Sequence, residues 1–175
     1  MRKFGILILL AILFSACSGD DGADGIDGIN IAGQIIEIEG SFTPTNDYGI
    51  FLEFPSTVEV LESDVVLAYM LFDQKDDSNG IASDIWRLLP QTRIIDQGLL
   101  QYNYEHTFFD VDIFLEADFD LATLPEGDTE SQIFRIAILP ADNLGDATLN
   151  VNDFNAVLER LSISDLEIER VQNIN

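Results

Sequence analysis

Between residues 31 and 175, apolar residues recur at every second position over several short stretches. This period is typical of β-strands that bury one face, because successive side chains point to opposite sides of a strand. Residues 65–72 are instead apolar almost throughout, which indicates a central strand buried on both faces. The alternating positions are Ile36 and Ile38; Ile50, Leu52 and Phe54; Leu100, Tyr102, Tyr104 and His106; Val111, Ile113 and Leu115; and Phe134, Ile136 and Ile138.

Turn-forming residues separate these stretches, at 44–47, 76–80, 96–98 and 125–128. A weaker apolar run at 85–89 predicts an edge strand, and the alternation around Leu166 and Ile168 predicts a last strand. Residues 31–175 have the usual size of one domain. We therefore expect a mainly β fold, a single antiparallel β-sandwich of about seven strands.

One helix is predicted near the C-terminus. Phe154, Val157, Leu158 and Leu161 have the i, i+3, i+4, i+7 spacing of an amphipathic helix. Either Asn152 or Asp153 is a suitable N-cap, because a short polar side chain accepts hydrogen bonds from the free N–H groups of the first turn. We expect this helix to cover one end of the sandwich.

The first 17 residues have the features of an exported lipoprotein. Arg2 and Lys3 precede an apolar run, residues 4–14, which is typical of a secretory signal and falls short of the roughly 20 residues that cross a bilayer. The following Phe-Ser-Ala-Cys at 14–17 resembles a lipobox, with Phe in place of the usual Leu. The resemblance implies removal of a signal peptide, residues 1–16, and a membrane anchor of lipid on Cys17, since two or more acyl chains anchor stably.

Glycine recurs every third residue behind Cys17, in four triplets that start at Gly19, Gly22, Gly25 and Gly28. This is the collagen period, so a trimeric stalk is one interpretation. The absence of proline and the many aspartates favour the other, a flexible acidic tether over residues 17–30. Such a tether would span about 20 Å on average and about 50 Å at most.

The chain is strongly acidic, with 32 Asp and Glu against 8 Lys and Arg and a net charge of −24. Loss of the signal would remove Arg2 and Lys3 and lower the charge to −26. This charge repels phosphate backbones and anionic headgroups, so no nucleic-acid partner is expected. Cys17 is the single cysteine, so the core must supply stability without a disulfide.

Residues 17–21 resemble the surface-export signal of Bacteroidota lipoproteins, in which acidic residues follow the lipidated cysteine. The whole chain resembles short flavobacterial lipoproteins that combine a collagen-like Gly-x-x stretch with a β-rich domain of unknown function. Residues 46–55, 61–67, 102–111 and 152–155 carry this resemblance. It implies a lipid anchor on the outer membrane and a domain exposed at the cell surface, and it implies no particular activity.

A calcium loop is one interpretation of residues 142–153, because their spacing resembles a 12-residue EF-hand or dockerin loop. Leu144 and Ala147 depart from that pattern at its third and sixth positions, and Asp153 replaces the usual final Glu. The alternative is a surface loop in which Asn152 or Asp153 only caps the helix. The calcium ligands would be the side chains of Asp142, Asp146, Asn150 and Asp153 and the carbonyl of Thr148.

Two further polar features have simple structural explanations. A second acidic turn precedes Gly80 and either holds calcium weakly or is only solvated. The single histidine, His106, is expected to pack inward, because no Gly-x-Ser-x-Gly elbow accompanies it and zinc needs more His or Cys ligands. The residues of the acidic turn are Asp73, Asp76, Asp77 and Asn79.

Aromatic residues on alternating strand positions either line a glycan-binding groove or belong to the core. These residues are Trp86, Tyr102, Tyr104, Phe108 and Phe109. The many carboxylates permit a glycosidase pair by number alone, so their presence is weak evidence for that activity. No phosphate-binding glycine motif follows a predicted strand, so the sequence gives no sign of a nucleotide cofactor. We therefore expect a non-enzymatic surface lipoprotein acting in adhesion, envelope structure or extracellular binding. A calcium- or glycan-binding module is the alternative, and a carboxylate hydrolase is the third.

Overall fold

The structure is a computed structural model that describes residues 33–76, 78–141 and 149–174. Within these residues, nine strands form two sheets. The five-stranded sheet has the order β4-β3-β8-β1-β9, and the four-stranded sheet has the order β2-β7-β6-β5. The strands are β1 Gln34–Gly40, β2 Gly49–Glu53, β3 Val65–Asp76, β4 Ala82–Leu88, β5 Gln91–Ile95, β6 Gly98–His106, β7 Asp110–Ala117, β8 Gln132–Leu139 and β9 Glu169–Ile174.

In the part of the chain that the structure describes, two α-helices accompany the strands, α1 Glu126–Thr129 and α2 Phe154–Leu161. Short 3-10 turns occupy Pro44–Asn46, Leu121–Thr123 and Asp165–Glu167. The predicted mainly β fold with one amphipathic helix near the C-terminus is confirmed. The predicted turn at 125–128 lies in α1, a single helical turn.

The two sheets share one core, built from the alternating positions that the sequence predicts. Phe42 joins them, because its ring packs edge-on against Tyr102 at 5.9 Å and against Phe134 at 6.0 Å. The other buried members of this shared core are Ile36, Ile38, Ile50, Leu52, Val66, Ala68, Met70, Leu89, Leu100, Val111, Ile113, Leu115, Ile136 and Ile138.

The five-stranded sheet has a second core on its outer face, beneath α2. Phe154 and Val157 of the helix are buried there, and Phe154 packs on Tyr69 with ring centroids 4.9 Å apart. The buried sheet residues of this face are Ile35, Leu67, Tyr69, Ala137 and Leu139. β3 is therefore covered on both faces, as the continuous apolar run at 65–72 predicts.

Helix α2 lies on the outer face of the five-stranded sheet, so its predicted place at one end of the sandwich is wrong. The sheet presents apolar side chains on both faces, and the outer set needs a cover. Gly33 permits a close approach there, because an added Cβ would collide with Leu161 Cδ2. Ser162 ends the helix in the left-handed region, with φ 55°.

The strand predictions differ from the structure in two places. β5 was not predicted, because its inward positions are the polar Gln91 and Arg93 while Ile94 points outward and is 87% exposed. The last strand begins only at Glu169, and Leu166 lies exposed in the preceding 3-10 turn. β9 pairs with β1 in parallel, so the sheet is not purely antiparallel.

Candidate functional site

The predicted lipidation site and most of the predicted calcium loop lie outside the described residues. These are Cys17 with the tether, and Asp142, Asp146 and Thr148. Asp153 caps α2: its Oδ1 accepts hydrogen bonds from Asn155 N at 3.0 Å and Ala156 N at 3.4 Å. Asn150 Oδ1 accepts one from Asn152 N at 3.2 Å. The described part of the loop thus has the geometry of the capping interpretation.

The five aromatic residues do not form one groove, so that hypothesis is wrong. Trp86 lies on the five-stranded sheet and packs on Phe154 beneath α2, with centroids 5.5 Å apart. Tyr102 belongs to the other sheet and is fully buried between the two. Phe108 and Phe109 lie exposed at the tip of the β6–β7 hairpin. The core interpretation holds for Trp86, Tyr102 and Tyr104.

His106 is exposed, which corrects the expectation that it packs inward. It has the same parity on β6 as Tyr102 and Tyr104, but it lies at the end of the strand. Its ring stacks on Tyr104 with centroids 6.4 Å apart. Alternate residues of a strand point to the same face of the sheet, but a side chain on the inner face is buried only where the other sheet extends over it.

The predicted acidic turn falls partly within β3, which includes Asp73 and Asp76, and no cation site is assembled among its described residues. Asp73 Oδ1 accepts a hydrogen bond from Gln74 N at 2.9 Å, and Gly80 turns the chain with φ 77°. Asp73, Asp76 and Asn79 are exposed, and Asp77 lies outside the described residues. Across the whole described part of the chain, no group of three His, Cys, Asp or Glu residues is arranged to hold a metal ion.

A buried arginine organises the outer face of the five-stranded sheet. The Arg135 side chain is only 4% exposed and forms ion pairs with Glu37 at 2.8 Å and with Asp165 at 2.6 Å. Arg170 pairs with the same two carboxylates, at 2.9 and 3.2 Å. The Arg135 guanidinium also lies 4.1 Å from the Trp86 ring centroid. The four charges thereby compensate one another at the join between β8, β1 and β9.

The ion-pair cluster was missed at the sequence level, although one signal for it exists. Arg135 interrupts a strand that is otherwise apolar from Ile133 to Leu139. A buried charge requires opposite charges and hydrogen bonds around it. Its partners are 98 residues away at Glu37 and 30 residues away at Asp165, and no local pattern identifies them.

A second ion pair lies near the β5 edge of the sandwich. Arg93 binds the buried carboxylate of Asp128 in α1, and Tyr102 donates a hydrogen bond to the Asp128 carbonyl at 2.9 Å. Burial and the nearby negative charge of Asp128 raise the pKa of Tyr102 to about 12. The raised pKa extends the pH range over which the Tyr102 hydroxyl stays protonated as a donor to well above pH 10.

A polar cleft of about 290 Å³ opens beside this ion pair, lined by Phe72, Arg93, Asp128 and Gln132 among others. Two guanidinium groups make cation–π contacts with the Phe72 ring: the Cζ of Arg87 lies 3.4 Å and that of Arg93 5.9 Å from its centroid. Within the described residues, Arg87 has no carboxylate at ion-pair distance. Because Arg93 is already paired with Asp128, the guanidinium of Arg87 on the Phe72 ring is the candidate group for binding a small negatively charged ligand beside this cleft.

The outer face of the four-stranded sheet carries carboxylates and single apolar side chains. Burial, together with the charges of Glu105 and Asp110, raises the pKa of Asp112 on this face. Phe51 is paired with Asp112 across the strands and is 54% exposed. Phe51 and Asp112 thus place an apolar and an acidic side chain next to each other on this face.

No helix in the described residues is long and apolar enough to cross a membrane. The cleft beside Arg93, with the neighbouring Arg87, is a candidate small-ligand site. Comparison of the chain with protein-family models, with curated proteins and with solved structures finds no match in any of the three.

Proposed function

We propose that this chain is an exported lipoprotein, held by lipid on Cys17 to the outer membrane, whose domain has a non-catalytic role in adhesion, envelope structure or extracellular binding. The observation that carries the proposal is Cys17 itself. It is the only cysteine, and it follows a short apolar run and two small residues. Lipidation needs a thiol at that position, and no disulfide competes for it.

The proposal assigns anchoring to the N-terminal segment and recognition to the β-rich domain, and the contacts of the domain support that assignment. Ile31–Asn175 is one compact unit, distinct from Met1–Asn30. Two of its arginines, Arg135 and Arg93, are engaged in ion pairs that join elements of the fold. A protein built in this way suits attachment and recognition at a surface.

Replacing the anchoring thiol tests the lipoprotein proposal. Cys17→Ala should abolish incorporation of radiolabelled palmitate and leave the precursor uncleaved, because the thioether cannot form. Ser18→Ala is the matched control at the neighbouring position and should retain both label and processing. Palmitate labelling that persists in Cys17→Ala would rule out this anchor.

Protease treatment of intact cells tests the proposed location. The acidic residues Asp20 and Asp21 behind Cys17 are the reason to expect surface export. An outward-facing domain should be digested on intact cells, with a periplasmic protein as the internal control. Digestion only after lysis would place the domain in the periplasm instead.

Binding of a small acidic ligand is the second candidate function, and the cleft beside Phe72 favours it. The Cζ of Arg87 lies 3.4 Å from the centroid of that ring, without a carboxylate partner in the described residues, and the Cζ of Arg93 lies 5.9 Å from the same centroid. A guanidinium so placed suits a carboxylate or sulfate group, as on an acidic sugar. This keeps a glycan as a ligand class but moves its site away from the aromatic residues first considered.

Matched sugars test this second candidate. Glucuronate should raise the melting temperature of the protein more than glucose does, and Arg87→Gln should remove the difference. Arg87 is exposed, so its replacement leaves the Arg93–Asp128 pair in place. Equal shifts with the two sugars, or a difference that survives in Arg87→Gln, would reject the cleft as an acidic-sugar site.

A further inference from the structure

Two adjacent phenylalanines project from the tip of the β6–β7 hairpin. Phe108 is 50% exposed and Phe109 is 72% exposed. Each phenyl ring has a large apolar area that is exposed to water, and its burial against a partner would be favourable. Exposure of two consecutive aromatic residues at a hairpin tip therefore points to a partner for that tip.

Hydrogen bonds of polar groups hold the tip in a defined shape. Thr107 N donates to the Asp110 carbonyl at 2.9 Å, and Thr107 Oγ1 donates to Asp110 Oδ1 at 2.7 Å. Phe109 N donates to Thr107 Oγ1 at 3.1 Å, and the Phe109 carbonyl accepts from Phe54 N at 2.7 Å. The turn does not need the two phenyl rings for its own stability, so their outward position calls for another explanation.

The hairpin tip lies at the end of the sandwich where the chain enters the domain. Tyr104 Oη donates to the Val66 carbonyl at 3.1 Å, so the last part of β6 lies over the start of β3. Val66 pairs with Ile138, and Ile138 pairs with Gln34, the first residue of β1. We call this end, with Gln34 and the β6–β7 tip, the proximal end. The β5–β6 turn lies at the opposite, distal end, because β6 begins there at Gly98.

We propose that Phe108 and Phe109 insert into the surface of the lipid layer that anchors the protein. The inference rests on the proposed lipid anchor at Cys17. The short tether would join the proximal end to that lipid layer, so the tip would meet lipid at a high effective concentration. Phenyl rings suit the boundary between headgroups and acyl chains, where apolar side chains enter by a few ångströms.

Charges near the tip define the kind of lipid surface that it fits. Glu105 and Asp110 flank the tip on β6 and β7, and Glu53 lies opposite Asp110 on β2. The hairpin from Gly98 to Ala117 contains no Lys or Arg. Carboxylates so close to the bilayer are repelled by anionic headgroups, and they tolerate zwitterionic ones. The proposed partner is therefore a zwitterionic lipid surface.

Tryptophan quenching tests the insertion directly. The mature lipid-anchored protein is placed in phosphatidylcholine vesicles with or without brominated acyl chains, which quench only indoles that reach them. Three proteins are compared: wild type, Phe109→Trp, and Ile94→Trp. Trp86 is kept in all three, and its contribution is common to them. Ile94 is the matched control, because it is 87% exposed beside the distal β5–β6 turn.

We expect brominated chains to reduce the emission of Phe109→Trp beyond the wild-type loss and to leave the added indole of Ile94→Trp unaffected. Replacing part of the phosphatidylcholine by phosphatidylglycerol should reduce the quenching. No added quenching at position 109, or equal quenching at 109 and 94, would overturn the insertion. Vesicle flotation reports the anchor separately: protein that floats without quenching refutes only the insertion, and protein that fails to float refutes the anchor and the insertion together.

Discussion

The two sheets of this domain share a core but differ in what covers their outer faces. The five-stranded sheet is covered by α2 and the segment around Ile168, and its central strands are apolar over residues 65–72 of β3 and, apart from Arg135, from Ile133 to Leu139 of β8. The four-stranded sheet has no such cover in the described residues, and β6 and β7 alternate between buried and partly exposed positions. Strands that are covered on both faces therefore lack the alternation of apolar and polar residues in the sequence, whereas strands that are covered on one face keep it.

The difference in cover also determines how a charged residue is accommodated on one face and how an apolar residue is accommodated on the other. On the covered face, the charge of Arg135 requires two carboxylates and a second arginine around it. On the open face, Phe51 remains about half exposed beside the carboxylate of Asp112. A polar group under a cover needs protein partners, whereas an apolar group in solvent needs none.

The largest effect should come from comparing one aromatic residue on each outer face. Tyr69 is fully buried beneath α2, and its hydroxyl donates to the Val151 carbonyl at 2.6 Å. Tyr69→Ala should lower the free energy of unfolding by about 3–5 kcal/mol, because it leaves a cavity. Phe51→Ala, on the open face, should change it by about 0.5 kcal/mol or less. Urea denaturation measures both, and similar losses would contradict the difference between the faces.

A smaller loss is expected from the buried ion-pair cluster. Arg135→Met should lower the free energy of unfolding by about 2–3 kcal/mol, because Glu37 loses its buried partner but keeps Arg170. Arg170→Met is the matched control with the same change of side chain. Arg170 is 45% exposed, so its replacement should cost less. An equal or larger loss in Arg170→Met would show that the solvent-facing arginine organises the cluster.

The sequence predicts the parts of this fold that depend on local pattern. The alternating strands, the continuous apolar run at 65–72 and the helix at Phe154–Leu161 follow from periodicity, and Asp153 is one of the two predicted caps. These features depend on residues a few positions apart, whose period and capping chemistry are visible in the chain.

The remaining features depend on neighbours distant in sequence. β5 turns Arg93 inward because Asp128 meets it there, 35 residues away. β9 joins the sheet in parallel beside β1, which reverses the expected antiparallel pairing. His106 has inward parity but extends beyond the shared core. In each case, contacts between residues distant in sequence outweighed the local pattern. The candidate cleft is likewise lined by residues from separate parts of the chain, such as Phe72, Arg93 and Asp128.

Alkaline pH should weaken the shared core through Tyr102. Its pKa is raised from 10.0 to about 12 in the folded protein, so its contribution to stability is complete below about pH 10 and is lost as the pH rises toward 12. The loss should be on the order of 2 kcal/mol. Burial also raises the pKa of Tyr69 and Tyr104, so part of the alkaline loss should remain in Tyr102→Phe.

Unfolding measured from about pH 9 to about pH 11.5 in wild type and Tyr102→Phe separates these contributions. The variant should be less stable near pH 9 by about 1 kcal/mol, because the Asp128 carbonyl loses its hydrogen bond. The gap should narrow as the pH rises. A gap that stays constant would show that Tyr102 does not titrate with the raised pKa.

Calcium should have the smallest effect, and it tests the segment that leads into the cover of the five-stranded sheet. If residues 142–153 bound the ion, calcium at 100 times its Kd would stabilise the fold by about 2.7 kcal/mol and raise the melting temperature by about 6–10 °C. Screening of a strongly acidic chain stabilises it with any divalent ion. Magnesium at equal ionic strength is the control, because it fits such loops poorly.

We expect equal, modest shifts with the two ions and no effect of Asp142→Ala with Asp146→Ala. Asp153 Oδ1 already accepts hydrogen bonds from Asn155 and Ala156 at the start of α2, and Asn150 Oδ1 accepts one from Asn152. A calcium ion would have to compete for the remaining lone pairs of these oxygens or displace the cap. A calcium shift several degrees larger than the magnesium shift, and lost in the double variant, would contradict this expectation. It would mean that the cover of the five-stranded sheet is fixed by an ion as well as by Phe154 and Val157.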